Sequence, residues 1–292
     1  MGDLTPINRG ERFSIMKIRT ITAAILLVIT VPIMIFSKYL VYPIFLALLA
    51  LFAVYELLRV MGYHREWFIS VPAYMMAVVM PLESYSIEAD GRTGFLLAVA
   101  MVIFAYLLYL MGVAVFSHGR ITISKIGEAF VAVTYVVASF TALTTIRYLA
   151  HGMYCFVLVF ITAWVTDCMA YIVGSLIGKH KLIPDVSPKK TVEGAVGGVV
   201  FTILACLLYG FIIEKLTGNV RADYVVLAVI GLILSVVSQI GDLVASLIKR
   251  EHGVKDYSKL LPGHGGIMDR FDSILAVSTP LMVICIIYPP FI

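Results

Sequence analysis

Apolar residues in this chain come in long runs separated by short polar interruptions. Such runs occupy 20–36, 39–58, 67–82, 94–116, 129–146, 153–178, 194–213, 224–248 and 274–292. A helix needs about 20 consecutive apolar residues to cross the hydrocarbon core of a bilayer. Only helices and closed barrels satisfy their backbone there, and barrel strands alternate in hydrophobicity, which these runs do not. The pattern predicts an all-α protein: a polytopic transmembrane helical bundle of about nine helices, with 67–82 the shortest. No period of about 20–50 residues marks a repeat array.

Composition agrees. The 292 residues are 61% hydrophobic and 14% charged, with a mean hydropathy of +1.00. A soluble domain carries about 25% charged residues, and one of this size would have nowhere to hide so much apolar surface. The net charge of +4 is too small to point to nucleic acid. Cys155, Cys168, Cys206 and Cys285 all fall in apolar runs without CxxC or Cys/His spacing, which reads as small buried hydrophobes. The first run lacks a small-residue cleavage site and reads as an uncleaved helix. Pro6 stands where N-myristoylation after Met1-Gly2 requires Ser or Thr.

Basic residues assign the two sides. With nine crossings and the N-terminus inside, the tail and the loops at 59–66, 117–128, 179–193 and 249–273 hold 17 of the 22 Lys and Arg residues. The positive-inside rule then places the N-terminus in the cytoplasm. Three regions follow: a cytoplasmic segment 1–19, N-terminal transmembrane helices over 20–150, and a catalytic transmembrane region over 151–292. The first half is nearly featureless. Its one intramembrane acid, Glu56, lies three residues before Arg59 and reads as an interfacial acid paired with it.

Chemistry concentrates in the second half. Asp167 and Asp242 are embedded in apolar segments, and a carboxylate at that depth needs a cavity or a partner. Helical spacing puts Ser238, Asp242 and Ser246 on one face, above Lys249 and Arg250. In the loop from Lys249 to Ser273, Pro262, Gly263, Gly265 and Gly266 bend the backbone around His264, which reads as a hydrogen-bonding strut or a base. Asp269 and Asp272 stand at i, i+3 where the last helix begins. Carboxylates suit Mg²⁺, which binds through one or two of them plus substrate phosphates, while nearby Lys and Arg suit phosphate oxygens. In the segment Ser187–Gly198, Ser187-Pro188 opens a turn and Thr191 caps the following helix, so Lys189 and Lys190 flank a helix N-terminus suited to an anion. No GxxxxGK[ST] loop is present.

Ser246-Leu247-Ile248-Lys249-Arg250, Lys255-Asp256 and Leu261 to Asp272 closely resemble the signature of phosphatidate cytidylyltransferases, the CDP-diacylglycerol synthases. Ser187–Thr191 and Gln239–Asp242 are similar to further segments of that family. The resemblance is dense over roughly 160–275. It implies CTP and phosphatidate as substrates, CDP-diacylglycerol and pyrophosphate as products, and dependence on Mg²⁺, with one cation or two. It implies metal binding by Asp242 and Asp269, supported by Asp272 and Ser246, and phosphate binding by Lys189, Lys190, Lys249 and Arg250. Ser187, Thr191, Asp167, Lys255, His264 and Arg270 complete the expected substrate-binding set. It also implies a homodimer, while the compact length suggests a bacterial cytoplasmic membrane and the basic loops put the site on its cytoplasmic side. Two rivals remain at this stage: an ion-coupled secondary transporter, which would place its charges near the midplane, and a CTP-dependent polyprenol or dolichol kinase.

Overall fold

The computed structural model describes residues 32–86 and 92–292, with positions 20, 22, 24, 25, 28 and 30 before them. Among the described residues from Val41 on, eight helices follow one another: α1 (Val41–Val60), α2 (Trp67–Glu83), α3 (Arg92–Phe116), α4 (Ile123–Tyr148), α5 (Gly152–Ile177), α6 (Val192–Thr217), α7 (Tyr224–Glu251) and α8 (Met268–Ile287). Among the described residues seven are long and apolar enough to span a membrane, and α2 is a shorter apolar helix broken by Pro72 and Pro81. The 1–19 segment lies outside the described residues, as do positions 21, 23, 26, 27, 29 and 31 of the predicted first span, 20–36, whose residues 32–35 are helical.

The core is centred on α4, which packs against α1, α2 and α8. Its buried threonines donate back to their own helix: Thr141 to Val137 O, Thr144 to Phe140 O and Thr145 to Thr141 O, at 2.7–3.0 Å. Hydroxyls placed this way enter an apolar interior without unpaired donors. Of the cysteines, Cys155, Cys206 and Cys285 are buried as expected, but Cys168 is exposed. It lies in the second half of α5, which buries only Thr166.

Two features shape the functional end. First, α5 is interrupted by a π-helical turn over Ile161–Val165, which ends two residues before Asp167. Such a turn inserts a residue into the helix and re-aims the side chains beyond it. Second, glycines let helices approach closely. A Cβ on Gly194 would meet Ala170 O at 2.5 Å, one on Gly197 would meet Val173, and one on Gly241 would collide with Ala276 Cβ. Small residues at such crossings are how membrane helices gain contact without a hydrophobic driving force.

The segment before α6 differs from expectation. Ser187-Pro188 does not open a turn; it begins β2 (Ser187–Thr191), which pairs antiparallel with β1 (Lys181–Ile183). The turn falls one step earlier, at Pro184-Asp185, residues that favour it. Pro188 is tolerated because the two-stranded ribbon leaves its strands as edges. Thr191 caps α6 as predicted, its hydroxyl accepting from Gly194 N at 3.2 Å.

Polar contacts sort to two ends of the bundle. At one, Tyr63 and His252 both meet Glu128, and Ser258 meets Glu56. At the other, Arg147 Nε donates to Ser37 Oγ at 2.6 Å, and Arg221 and Ile292 exchange backbone hydrogen bonds.

Candidate active site

Three elements converge at the first of these ends. From α7 comes Asp242, from β2 come Lys189 and Lys190, and from the re-aimed half of α5 comes Asp167. Together they line a cavity of about 230 Å³, with Thr191, Gln239 and Ser175. Lys190 Nζ makes an ion pair with Asp242 Oδ2 at 2.5 Å, both side chains remaining partly accessible. Asp167 Oδ2 accepts from Ser273 Oγ at 3.0 Å. Asp272 lies within electrostatic reach of Asp242, Asp167 and Lys249. The absent Cβ of Gly241 makes this possible, since that atom would also press on Asp272 O at 3.1 Å. Ser238, one turn from Asp242, is fully buried with its hydroxyl unpartnered; Ser246, one turn the other way, is half-buried.

Asp269, one turn before Asp272 on α8, faces elsewhere. Its carboxylate is buried and accepts from three donors: Lys249 Nζ at 2.8 Å, Tyr257 N at 2.8 Å and Gly266 N at 2.9 Å. It therefore fastens the glycine-rich loop to α7. Gly263 and Gly265 have φ of +76° and +84°, where a side chain would be strained. Tyr257 donates to Ala245 O at 2.9 Å, and burial, reinforced by the charge of Asp269, pushes its phenol up, which keeps it a neutral donor.

The remaining predicted residues of this loop form a second, open cavity of about 570 Å³. Lys255, His264 and Arg270 line it, together with Asp256, Ser258 and Lys259. His264 Nδ1 is buried without a partner. Arg250 is exposed and reaches Val254 O at 3.4 Å, and Ser187 is half-buried in β2. Of the sequence-predicted set, Asp167, Lys189, Lys190, Thr191 and Asp242 thus line one cavity and Lys255, His264 and Arg270 another, while Ser187, Ser246, Lys249, Arg250, Asp269 and Asp272 line neither.

Glu56 is the residue sequence reasoning misread. It forms no ion pair with Arg59; instead it is 2% exposed and accepts from Ser258 Oγ at 2.6 Å, Ile267 N at 3.0 Å and Met268 N at 3.0 Å. A carboxylate from the first half of the chain caps the N-terminus of α8. Gly266 leaves room for it, because a Cβ there would overlap its oxygens. The local signal was the burial cost of an acid within the apolar run 39–58, which demands a partner; the identity of that partner lay in tertiary structure.

With Lys249 engaged by Asp269, the carboxylates of Asp167, Asp242 and Asp272 outnumber Lys189 and Lys190, so the cluster carries an excess of negative charge that a divalent cation fits. Among the described residues no three His, Cys, Asp or Glu side chains converge closely enough to cage an ion unaided. That donor set suits Mg²⁺, which takes one or two carboxylates and completes its shell with water and substrate oxygens.

Comparison with known proteins reaches the same part of the chain and nearly all of the rest. The model of the cytidylyltransferase family matches residues 17–288. A protein of Staphylococcus saprophyticus named phosphatidate cytidylyltransferase is 35% identical over 277 residues, covering 93% of this chain and 99% of the relative. Proteins of the same name from Staphylococcus haemolyticus and Staphylococcus aureus are 34% and 35% identical over the same coverage. With its carboxylate and lysine cluster set among apolar helices, and with the match running almost end to end, the chain belongs to the cytidylyltransferase family.

Proposed function

We propose that this protein transfers a cytidylyl group from CTP to phosphatidate in a bacterial membrane, giving CDP-diacylglycerol and pyrophosphate for phospholipid synthesis. The observation that carries this reading is the pairing of Lys190 with Asp242 beside Asp167, in a cavity bounded by membrane-depth helices on one side and a polar hairpin on the other. A lipid phosphate and a soluble nucleotide can meet only at such a boundary.

In the reaction an unesterified phosphate oxygen of phosphatidate attacks the α-phosphorus of CTP. The bond from that phosphorus to the bridging oxygen of the β-phosphate breaks, and pyrophosphate leaves. Both reactants are polyanions, so catalysis rests on positioning and charge neutralisation. Lys189 and Lys190 from β2, and Lys249 and Arg250 at the end of α7, are the groups we assign to the phosphates. Lys255 and Arg270, with His264, line the adjoining cavity where the nucleotide's remaining charge can rest. The phosphatidate oxygen is already ionised at neutral pH, so no protein base is required.

Of the carboxylates assigned to Mg²⁺, Asp242 and Asp272 have oxygens to offer, whereas Asp269 is engaged by three donors and holds the loop beside them. The chemistry the ion supplies when bound is neutralisation of phosphate charge. Ser246 and Asp167 flank the pair. Two further parts of the proposal concern setting. The loops rich in Lys and Arg face the cytoplasm, supported by their excess over the opposite loops. A second copy of the chain packs on the second half of α5, which buries only Thr166 and leaves Leu176 and Ile177 exposed.

The test is incubation of the purified protein with Mg²⁺, phosphatidate and CTP labelled at the α- or the γ-phosphate. Cytidylyl transfer puts only the α label into lipid. Recovery of the γ label there would make the protein a CTP-dependent lipid kinase instead.

A further inference from the structure

Glu56 also forms the inner wall of a third cavity, of about 500 Å³, between α1, α2 and the loop before α8, which meets the cavity of Lys255, His264 and Arg270 at Ser258 and Lys259. This volume lies within the range of roughly 300–1,000 Å³ usual for ligand sites. It shares no residue with the cavity of Asp167 and Asp242. Its walls are apolar at depth, formed by Leu51, Phe52, Tyr55 and Tyr74, with Leu260 exposed beside them. Phe52, Tyr55 and Arg59 fall at i, i+3 and i+7, so one face of α1 runs from membrane depth to its polar end.

The mouth carries Arg59 and Lys259, both exposed and neither in an ion pair among the described residues. The lining's one acid, Glu56, is already satisfied by Ser258 and the α8 N-terminus. The hydroxyl of Tyr74 is buried without a hydrogen-bond partner. The cavity is thus greasy below, cationic at the rim, and has one unused donor between.

We propose that this groove binds an anionic glycerophospholipid of the surrounding leaflet. An acyl chain lies along Leu51, Phe52 and Tyr55, the phosphate rests on Arg59 and Lys259, and the Tyr74 hydroxyl donates to an ester oxygen. A zwitterionic lipid brings its own ammonium to the two cations and is disfavoured. Because Glu56 both walls the groove and caps α8, the bound lipid and the glycine-rich loop share one carboxylate. The inference stands apart from the cytidylyl-transfer reading, since it concerns binding alone.

The experiment uses the full chain in phosphatidylcholine vesicles carrying a trace of phosphatidylglycerol with a photoreactive acyl chain, without CTP. Expected are cross-links within 51–59 and at Tyr74, displaced by unlabelled phosphatidylglycerol and not by further phosphatidylcholine. Arg59→Gln combined with Lys259→Gln should reduce this labelling roughly thirtyfold, two cations being lost from a membrane-surface anion contact. Cross-links confined to other helices, or labelling unaffected by the double substitution, would overturn the proposal. So would displacement by phosphatidate alone, which would make the groove a substrate channel. The cross-link map is read on the unsubstituted protein, so it stands even if the double variant folds poorly.

Discussion

Glu56 on α1 accepts a hydrogen bond from the backbone N–H of Met268 at 3.0 Å, tying the second membrane run of the chain to the first turn of its last helix. Replacing it by Ala leaves the N–H groups of Ile267 and Met268 and the hydroxyl of Ser258 without acceptors in a buried place. Each orphaned donor costs about 1–3 kcal/mol. Glu56→Ala should therefore lower the thermal midpoint in detergent and depress turnover together, with Glu56→Gln intermediate because its amide oxygen still accepts. Thermal unfolding followed alongside CDP-diacylglycerol formation measures both.

Glycines of the same region should differ sharply. At Gly266 a methyl group would overlap the Glu56 carboxylate, although the backbone there is ordinary. At Gly253 φ is +66° but nothing lies within 4 Å. Gly253→Ala should cost only the left-handed penalty, roughly 1–2 kcal/mol. Gly266→Ala should reproduce the loss seen for Glu56→Ala. Comparing the melting points of the three variants checks this.

The carboxylates of α7 and α8 should separate by kind of damage. Asp269→Asn breaks a buried pair with Lys249, whose side chains are 3% and 12% exposed, and so should destabilise by about 3–5 kcal/mol. Asp242→Asn and Asp272→Asn should leave the fold standing and abolish the response of turnover to added Mg²⁺. A Mg²⁺ titration beside a thermal scan distinguishes the two outcomes.

Lys190 is expected to act on the nucleotide. Lys190→Ala should raise the apparent KM for CTP about tenfold or more, the loss of one charge-assisted phosphate contact. Steady-state kinetics at saturating phosphatidate measures it; an unchanged KM removes Lys190 from the phosphate site.

Much of this arrangement was legible before any coordinates. Long apolar runs located the helices because membrane depth imposes length and polarity together. The Thr191 cap was readable because capping is a contact of three residues' span. Asp269 and Asp272 were correctly placed at a helix start, yet their different duties were not visible. An i, i+3 offset leaves roughly 60° between them on the helix, enough for one to meet the loop and the other to approach Asp242. Glu56 was misread because Arg59 lay within its local window, while its real partners lie more than 200 residues away. The hairpin at 181–191 was missed because Lys and Pro weaken its strand signal.

The wide turn at Ile161–Val165 sets the aim of the carboxylate that follows it. Each residue advances an α-helix by about 100°, so excising one residue there would restore regular winding and swing Asp167 away from Ser273. Where that acid looks is decided by counting backbone units upstream, and an enzyme with every side chain of the cluster intact could be silenced by a change in helical phase alone.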